Sequence, residues 1–167
     1  LATLSGRSEL AALIDRHAHL RKHLTLEITE DVFIARSGDM IQRTIAFFRQ
    51  SGIRVSLDDF GTGFASFQHL RELEFDELKL DTSFVQGLGV DKAAGVLVEN
   101  FLSIGKGLGV QVVAEGVETN AQLIQLRQMG CDVAQGHLFG AAMPLDAAIS
   151  LMRSGVLDPD ARVINAA

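Results

Sequence analysis

The feature that most restricts the fold is a repeated alternation of short β-type runs with amphipathic helical stretches. The runs are "LATLS" (1–5), "LTLEIT" (24–29), "IRVSLDD" (53–59), "ELKLD" (77–81), "VQVVAE" (110–115) and "DVAQG" (132–136). Alternation of this kind implies right-handed crossovers and a parallel sheet. Within the runs, polar and apolar residues also alternate. Leu24, Leu26 and Ile28 share one face of 24–29, with Thr25, Glu27 and Thr29 on the other. In 77–81, Leu78 and Leu80 oppose Glu77, Lys79 and Asp81. In 110–115, Val110, Val112 and Ala114 oppose Gln111, Val113 and Glu115. A doubly wound sheet, covered by helices on both faces, has strands that are apolar on both sides. Here one face suits surrounding helices and the other suits a barrel interior. Polar residues gather at the strands' C-terminal ends, where (β/α)8 barrels build their sites.

The predicted fold is therefore α/β, a TIM-type (β/α)8 barrel. Six strand–helix units are counted, against eight in the ~250 residues of a typical closed barrel. The expectation is a barrel represented by about its last six units, with the first two missing. A length of 167 residues, 47% of them hydrophobic, suits a single core. The reading assigns 1–154 to the C-terminal portion of one domain and 155–167 to a tail without a usable pattern.

Helix boundaries are marked by local chemistry. Leu10, Leu13, Ile14, His17 and Leu20 follow helical spacing, as do Ile41, Ile45 and Phe48. His17, on that first stripe, is expected to be a semi-buried packing residue. His17, His19 and His23 do not share a helix face at ligand spacing, which argues against zinc. Thr119 followed by Gln122 predicts a capping box, and Pro144 suits a first helical turn. Gly52, Gly109 and Gly130 are placed to close helices.

Composition excludes several functions. Net charge is −6 and no basic run is present, which argues against nucleic acid as a partner. The single Cys131 rules out a disulfide framework and fits a reducing, cytoplasmic setting. No apolar run approaches the ~20 residues of a membrane-spanning helix, so no membrane segment is expected in this chain; an anchor elsewhere in a longer parent remains compatible.

The candidate site is the ring formed by the last inward positions of successive strands. It contains Thr3, Glu27, Asp58 with Asp59, Lys79 with Asp81, Glu115 and Gln135. So many carboxylates around a single lysine call for a counter-ion. Hard divalent cations, Mg2+ or Mn2+, take such oxygen ligands, and a pair of them suits in-line attack on a phosphate ester. The glycine turn after Asp59 is expected to bring the second aspartate beside the first. Alone, the aspartate pair also fits a solvated strand end capping a helix, and Glu27, Lys79 and Glu115 also fit a solvated ion-pair network.

Five ordered motifs, "LEITE" (26–30), "DDFGTG" (58–63), "LKLDTSFV" (78–85), "VVAEGVET" (112–119) and "QGHLFG" (135–140), resemble the EAL-domain family of bacterial cyclic-di-GMP phosphodiesterases. The resemblance implies hydrolysis of cyclic di-GMP to linear pGpG with Mg2+ or Mn2+ at a two-metal site. It implies that Glu27 ligates the first metal, Asp58 bridges the two and Asp59 holds the second. Lys79 would contact the attacking water and the scissile phosphate. Glu115 would act near the second metal as ligand or general base, and Gln135 would help bind substrate. Glu30 and Thr62 would support the "DDFGTG" loop, which the family links to homodimerisation and control. Additional signalling domains in the parent protein are implied as well.

Three departures accompany the resemblance. The glutamate of the motif that names the family is expected upstream of residue 1. Thr3 stands where the family carries a metal-binding asparagine, and its short hydroxyl makes that position a doubtful ligand. His137, Ala141 and Ala142 replace an aromatic, a basic residue and a proline. The isolated chain is accordingly expected to be inactive by itself. Two other functions are weighed against the enzyme. One is a degenerate family member acting as a non-catalytic cyclic-di-GMP receptor. The other is an enolase-type barrel, which leaves "DDFGTG" and "AEGVE" unexplained.

Overall fold

The computed structural model describes residues 4–29, 38–61, 70 and 73–154. Its centre is a five-stranded parallel sheet of β1 (Thr25–Thr29), β2 (Arg54–Phe60), β3 (Glu77–Leu80), β4 (Gln111–Ala114) and β5 (Val133–Ala134). Spatial order equals chain order. A doubly wound sheet reverses its order at a switch point, whereas a barrel wall does not. The sheet is thus a partial barrel wall.

Among the described residues, helices flank the sheet and connect β1 to β2, β3 to β4 and β4 to β5. They are α1 (Leu4–Arg16), α2 (Gly38–Gln50), the short α3 (Thr82–Gln86), α4 (Lys92–Leu108), α5 (Asn120–Met129) and α6 (Leu145–Arg153). A 3-10 segment, Ala18–His23, leads from α1 into β1. The strand predicted at 1–5 is not found where it is described, because Leu4 and Ser5 already belong to α1. So short an apolar run does not distinguish a strand from the first turn of a helix. Residues 1–3 lie outside the described residues, as does the tail 155–167. The described wall therefore has five strands where six were expected.

The core fills the space between the sheet's outer face and the helices. Val55, Leu57, Leu78, Leu80, Val112 and Ala114 are at most 1% exposed and meet Ile45, Phe48 and Val98 from α2 and α4. Each of the larger side chains contributes roughly 1.5–3 kcal/mol by leaving water. The predicted stripe from Leu10 to Leu20, which begins in α1 and runs into the 3-10 segment, behaves differently. Ile14 is buried, but Leu13 is 50% and Leu20 42% exposed, and His17 is exposed rather than semi-buried.

Helix ends follow the local signals closely. Thr119 and Gln122 form the reciprocal capping box, and Gly109 and Gly130 close α4 and α5 at φ 71° and 78°. Pro144 is the N-cap of α6, one position before the predicted first turn. No described helix is long and apolar enough to cross a membrane.

Candidate functional site

The site begins with an irregularity in β2. Ser56 and Leu57 pair with Glu77 and Leu78, and Phe60 pairs with Leu80. Asp58 and Asp59 therefore both lie opposite the single residue Lys79, which is a β-bulge. In a regular strand, adjacent side chains point to opposite faces. The extra residue releases Asp59 from that rule, and Asp59 adopts φ 56°, the left-handed region that aspartate tolerates better than most residues. The Asp59 amide donates to Asp58 Oδ1 at 3.1 Å. The bulge also restores Phe60 to the helix side, where it is buried in the core. The sequence reading expects the glycine turn to bring the aspartates together. The bulge inside the strand does so instead.

Lys79 is the centre of the arrangement. Only 7% of its side chain is exposed, and its Nζ lies 2.9 Å from Glu27 Oε1, 3.1 Å from Asp58 Oδ1 and 2.8 Å from Glu115 Oε1. β1, β2, β3 and the end of β4 thus converge on one ammonium. Burial works against the lysine's charge, but the three carboxylates outweigh it and hold the pKa well above the ordinary lysine value. Glu115 moves upward too, chiefly because burial penalises its charge, with repulsion from Asp58 and Glu27 overcoming part of the help from Lys79. The two directions are compatible: one ammonium shared by three carboxylates stays charged, while the partly buried Glu115 among them holds a proton more readily.

Ligand oxygens of Asp58, Asp59 and Glu115 lie within 4.8 Å of one another. An all-carboxylate set of this kind fits a hard divalent cation. Glu27, half exposed, reaches the lysine from β1, beyond β2. Gln135 is exposed at the end of β5, its main chain bonded to Ala114 and Val117. Asp81, included in the predicted ring, instead caps α3, accepting from the Ser83 hydroxyl and from the Ser83 amide at 3.0 Å. The hydroxyl bond pulls its carboxyl below the usual range. Thr3, Glu30 and Thr62 lie outside the described residues.

The turn after Glu115 is pinned as well. Gly116 has φ 71°, and a Cβ there would come 2.4 Å from Thr82 Cγ2 of α3. Sequence patterning has no means of finding that contact, because Thr82 and Gly116 are distant in the chain and each looks ordinary in its own motif.

A parallel barrel wall with acidic side chains and a lysine at its C-terminal rim is the class that fold and site define. The chain belongs to the EAL domain family, whose model matches residues 5–142. It is 37% identical over 131 residues to the bifunctional diguanylate cyclase/cyclic di-GMP phosphodiesterase MucR of Pseudomonas aeruginosa, covering 78% of this chain and 19% of the relative. To the cyclic di-GMP phosphodiesterase NbdA of the same organism it is 35% identical over 169 residues, covering 94% of this chain and 21% of the relative. The chain therefore spans about a fifth of the length of these curated relatives. Among solved structures, the PaMucR phosphodiesterase in complex with c-di-GMP superposes with a TM-score of 0.81 at 34% identity, over 88% of this chain and 59% of that one. The manganese/cy-diGMP complex of Klebsiella pneumoniae BlrP1 gives 0.72 at 29% identity, over 79% of this chain and 34% of that one.

Proposed function

We propose that this chain carries the catalytic wall of a cyclic-di-GMP phosphodiesterase, which hydrolyses cyclic di-GMP to linear pGpG at a site for two Mg2+ or Mn2+ ions. The observation that carries the reading is the convergence of Glu27, Asp58 and Glu115 on Lys79, with Asp59 brought to the same rim by the bulge. The relatives named above, with their printed activities and ligands, support it.

Asp58, Asp59 and Glu115 have the donor chemistry to hold metal and would supply its ligand oxygens, with Glu27 contributing from β1. When bound, the ions supply positive charge that polarises the phosphate and acidifies water. Lys79, held protonated, is neither acid nor base at neutral pH. It is a fixed cation that orients the attacking water and offsets charge on the scissile phosphate. Glu115 would act beside the metal as ligand or as general base for the proton that water loses. The water oxygen would bond to phosphorus as its proton passes to the base, one P–O ester bond would break, and the departing ribose oxygen would take a proton from solvent, leaving a linear dinucleotide. Gln135 contributes a hydrogen-bonding edge for the ligand. Thr3 is assigned the weaker metal position, Glu30 and Thr62 the support of the loop. A homodimer through that loop, further signalling domains in the parent and a cytoplasmic location belong to the same reading, with 1–154 as the domain portion.

The test is incubation of the full-length parent with cyclic di-GMP and Mn2+ or Mg2+, followed by chromatography. Appearance of pGpG, dependent on metal, is the expected result. Metal-independent binding with no product overturns the enzyme in favour of a receptor.

A further inference from the structure

The bulge that brings the two aspartates together falls at the register shift between β2 and β3, and Asp59 within it is left-handed. That conformation costs an aspartate on the order of 1 kcal/mol, so surrounding packing must favour it. The packing just beyond the bulge is aromatic. Phe60 meets Phe101 of α4 edge-on with centroids 5.8 Å apart, and Phe101 meets Phe84 of α3 at 5.3 Å. Both of the latter rings close over Gly61, which has φ 96°. A Cβ built there would lie 2.7 Å from Phe101 Cζ and 3.1 Å from Phe84 Cε2. The chain leaving the bulge therefore passes through a slot sized for bare backbone.

We propose that Phe84 and Phe101 are positioning residues, an aromatic clamp on Gly61 that holds Asp59 in its left-handed conformation beside Asp58. Phe84 belongs to α3, the helix that directly continues the lysine strand β3. The same short helix presents Thr82 to Gly116. Through α3, the two carboxylate-bearing turns are set against the strand that carries Lys79. The effect on metal binding rests on the phosphodiesterase reading; the effect on backbone conformation does not.

The test compares Phe101→Ala with Leu102→Ala, a truncation of the next core residue on α4, which is not among the atoms nearest Gly61. In the metal-free chain, the 13Cα and 13Cβ shifts of Asp59 report its backbone region. Phe101→Ala is expected to move them toward extended values and Leu102→Ala to leave them in place. Phe101→Leu, a gentler change, is expected to move them in the same direction by less. Mn2+ titration is expected to show at least about tenfold weaker binding in Phe101→Ala and less than about twofold change in Leu102→Ala. Unchanged Asp59 shifts in both Phe101 variants, or equal movement in Leu102→Ala, overturn the clamp. Absence of Mn2+ binding in the wild-type chain overturns the metal reading, while the shift comparison still decides the clamp.

Discussion

The two ends of the sheet carry similar residues and use them differently. At the N-terminal end, Arg49 bonds Glu74 at 3.0 Å and Asp76 at 2.9 Å, while Arg54 lies 3.3 Å from Glu77 and 3.0 Å from the Gln111 side-chain oxygen. Two guanidiniums thus meet three carboxylates, and Asp76 also accepts from the Val55 amide. At the C-terminal end, one ammonium faces Glu27, Asp58 and Glu115, with Asp59 alongside. Near-balanced charge is a clasp that fastens strands to the loops before them. Unbalanced charge is costly unless something outside the protein completes it. A cavity of about 660 Å3 opens at the lower end, beside Arg49 and Arg54. Its arginines already have carboxylate partners, so the chemistry assigns function to the upper rim despite the hollow below.

The largest effect should come from breaking the upper end at Asp58, to which the family resemblance gives the bridging role. Asp58→Asn in the full-length protein is expected to lower turnover by at least about 1,000-fold, with ligand binding much less affected. Product formation followed by chromatography checks it, and an active variant removes the bridging role. Next comes the lone cation. Lys79→Met leaves three carboxylates facing one another and is expected to cost about 2–3 kcal/mol in the metal-free chain, below the range for fully enclosed pairs because Glu27 is half exposed. Urea unfolding with and without Mn2+ measures this; the ions should recover most of the loss.

A smaller effect is expected at the lower end. Arg49→Ala should destabilise the fold by about 1 kcal/mol, since its partners are partly in water, and should leave Mn2+ affinity within about twofold. A matching loss of metal affinity would erase the distinction between the ends. pH gives the finest comparison. The Glu115 pKa lies above its ordinary value of 4.5, so its ionisation opposes folding: its contribution is present below 4.5 and is lost as pH rises through the raised value. For metal the order inverts, because binding needs the carboxylate. Mn2+ affinity should start to fall on acidification at a pH above 4.5, measured by calorimetry, whereas the fold held by the lower clasp persists.

Much of this is legible in the sequence because it is local. Four of the strand runs match β1 to β4 within about a residue, and the capping box at Thr119 and glycine closures at Gly109 and Gly130 depend only on near neighbours. The acidic ring is legible because strand periodicity puts Glu27, Asp58, Lys79 and Glu115 on the face opposite the core positions, toward the C-terminal ends of their strands. The pattern misleads where packing or a competing partner decides. The stripe from Leu10 to Leu20 reads as a core face, yet Leu13 and Leu20 remain in water. Asp81 has the right parity for the rim, but the nearby Ser83 amide captures it. The bulge at Asp59 is invisible to an alternating pattern, since one inserted residue can be recognised only against the partner strand that lacks it.

The inserted residue leaves the parity of the core positions on either side of it unchanged. Without one aspartate, Leu57, a single acid and the following phenylalanine would alternate regularly, and the ring would still face the helices. A lineage of this fold can therefore lose an acid by one in-frame codon deletion and keep its hydrophobic scaffold intact. Chemistry and architecture are separable at this strand.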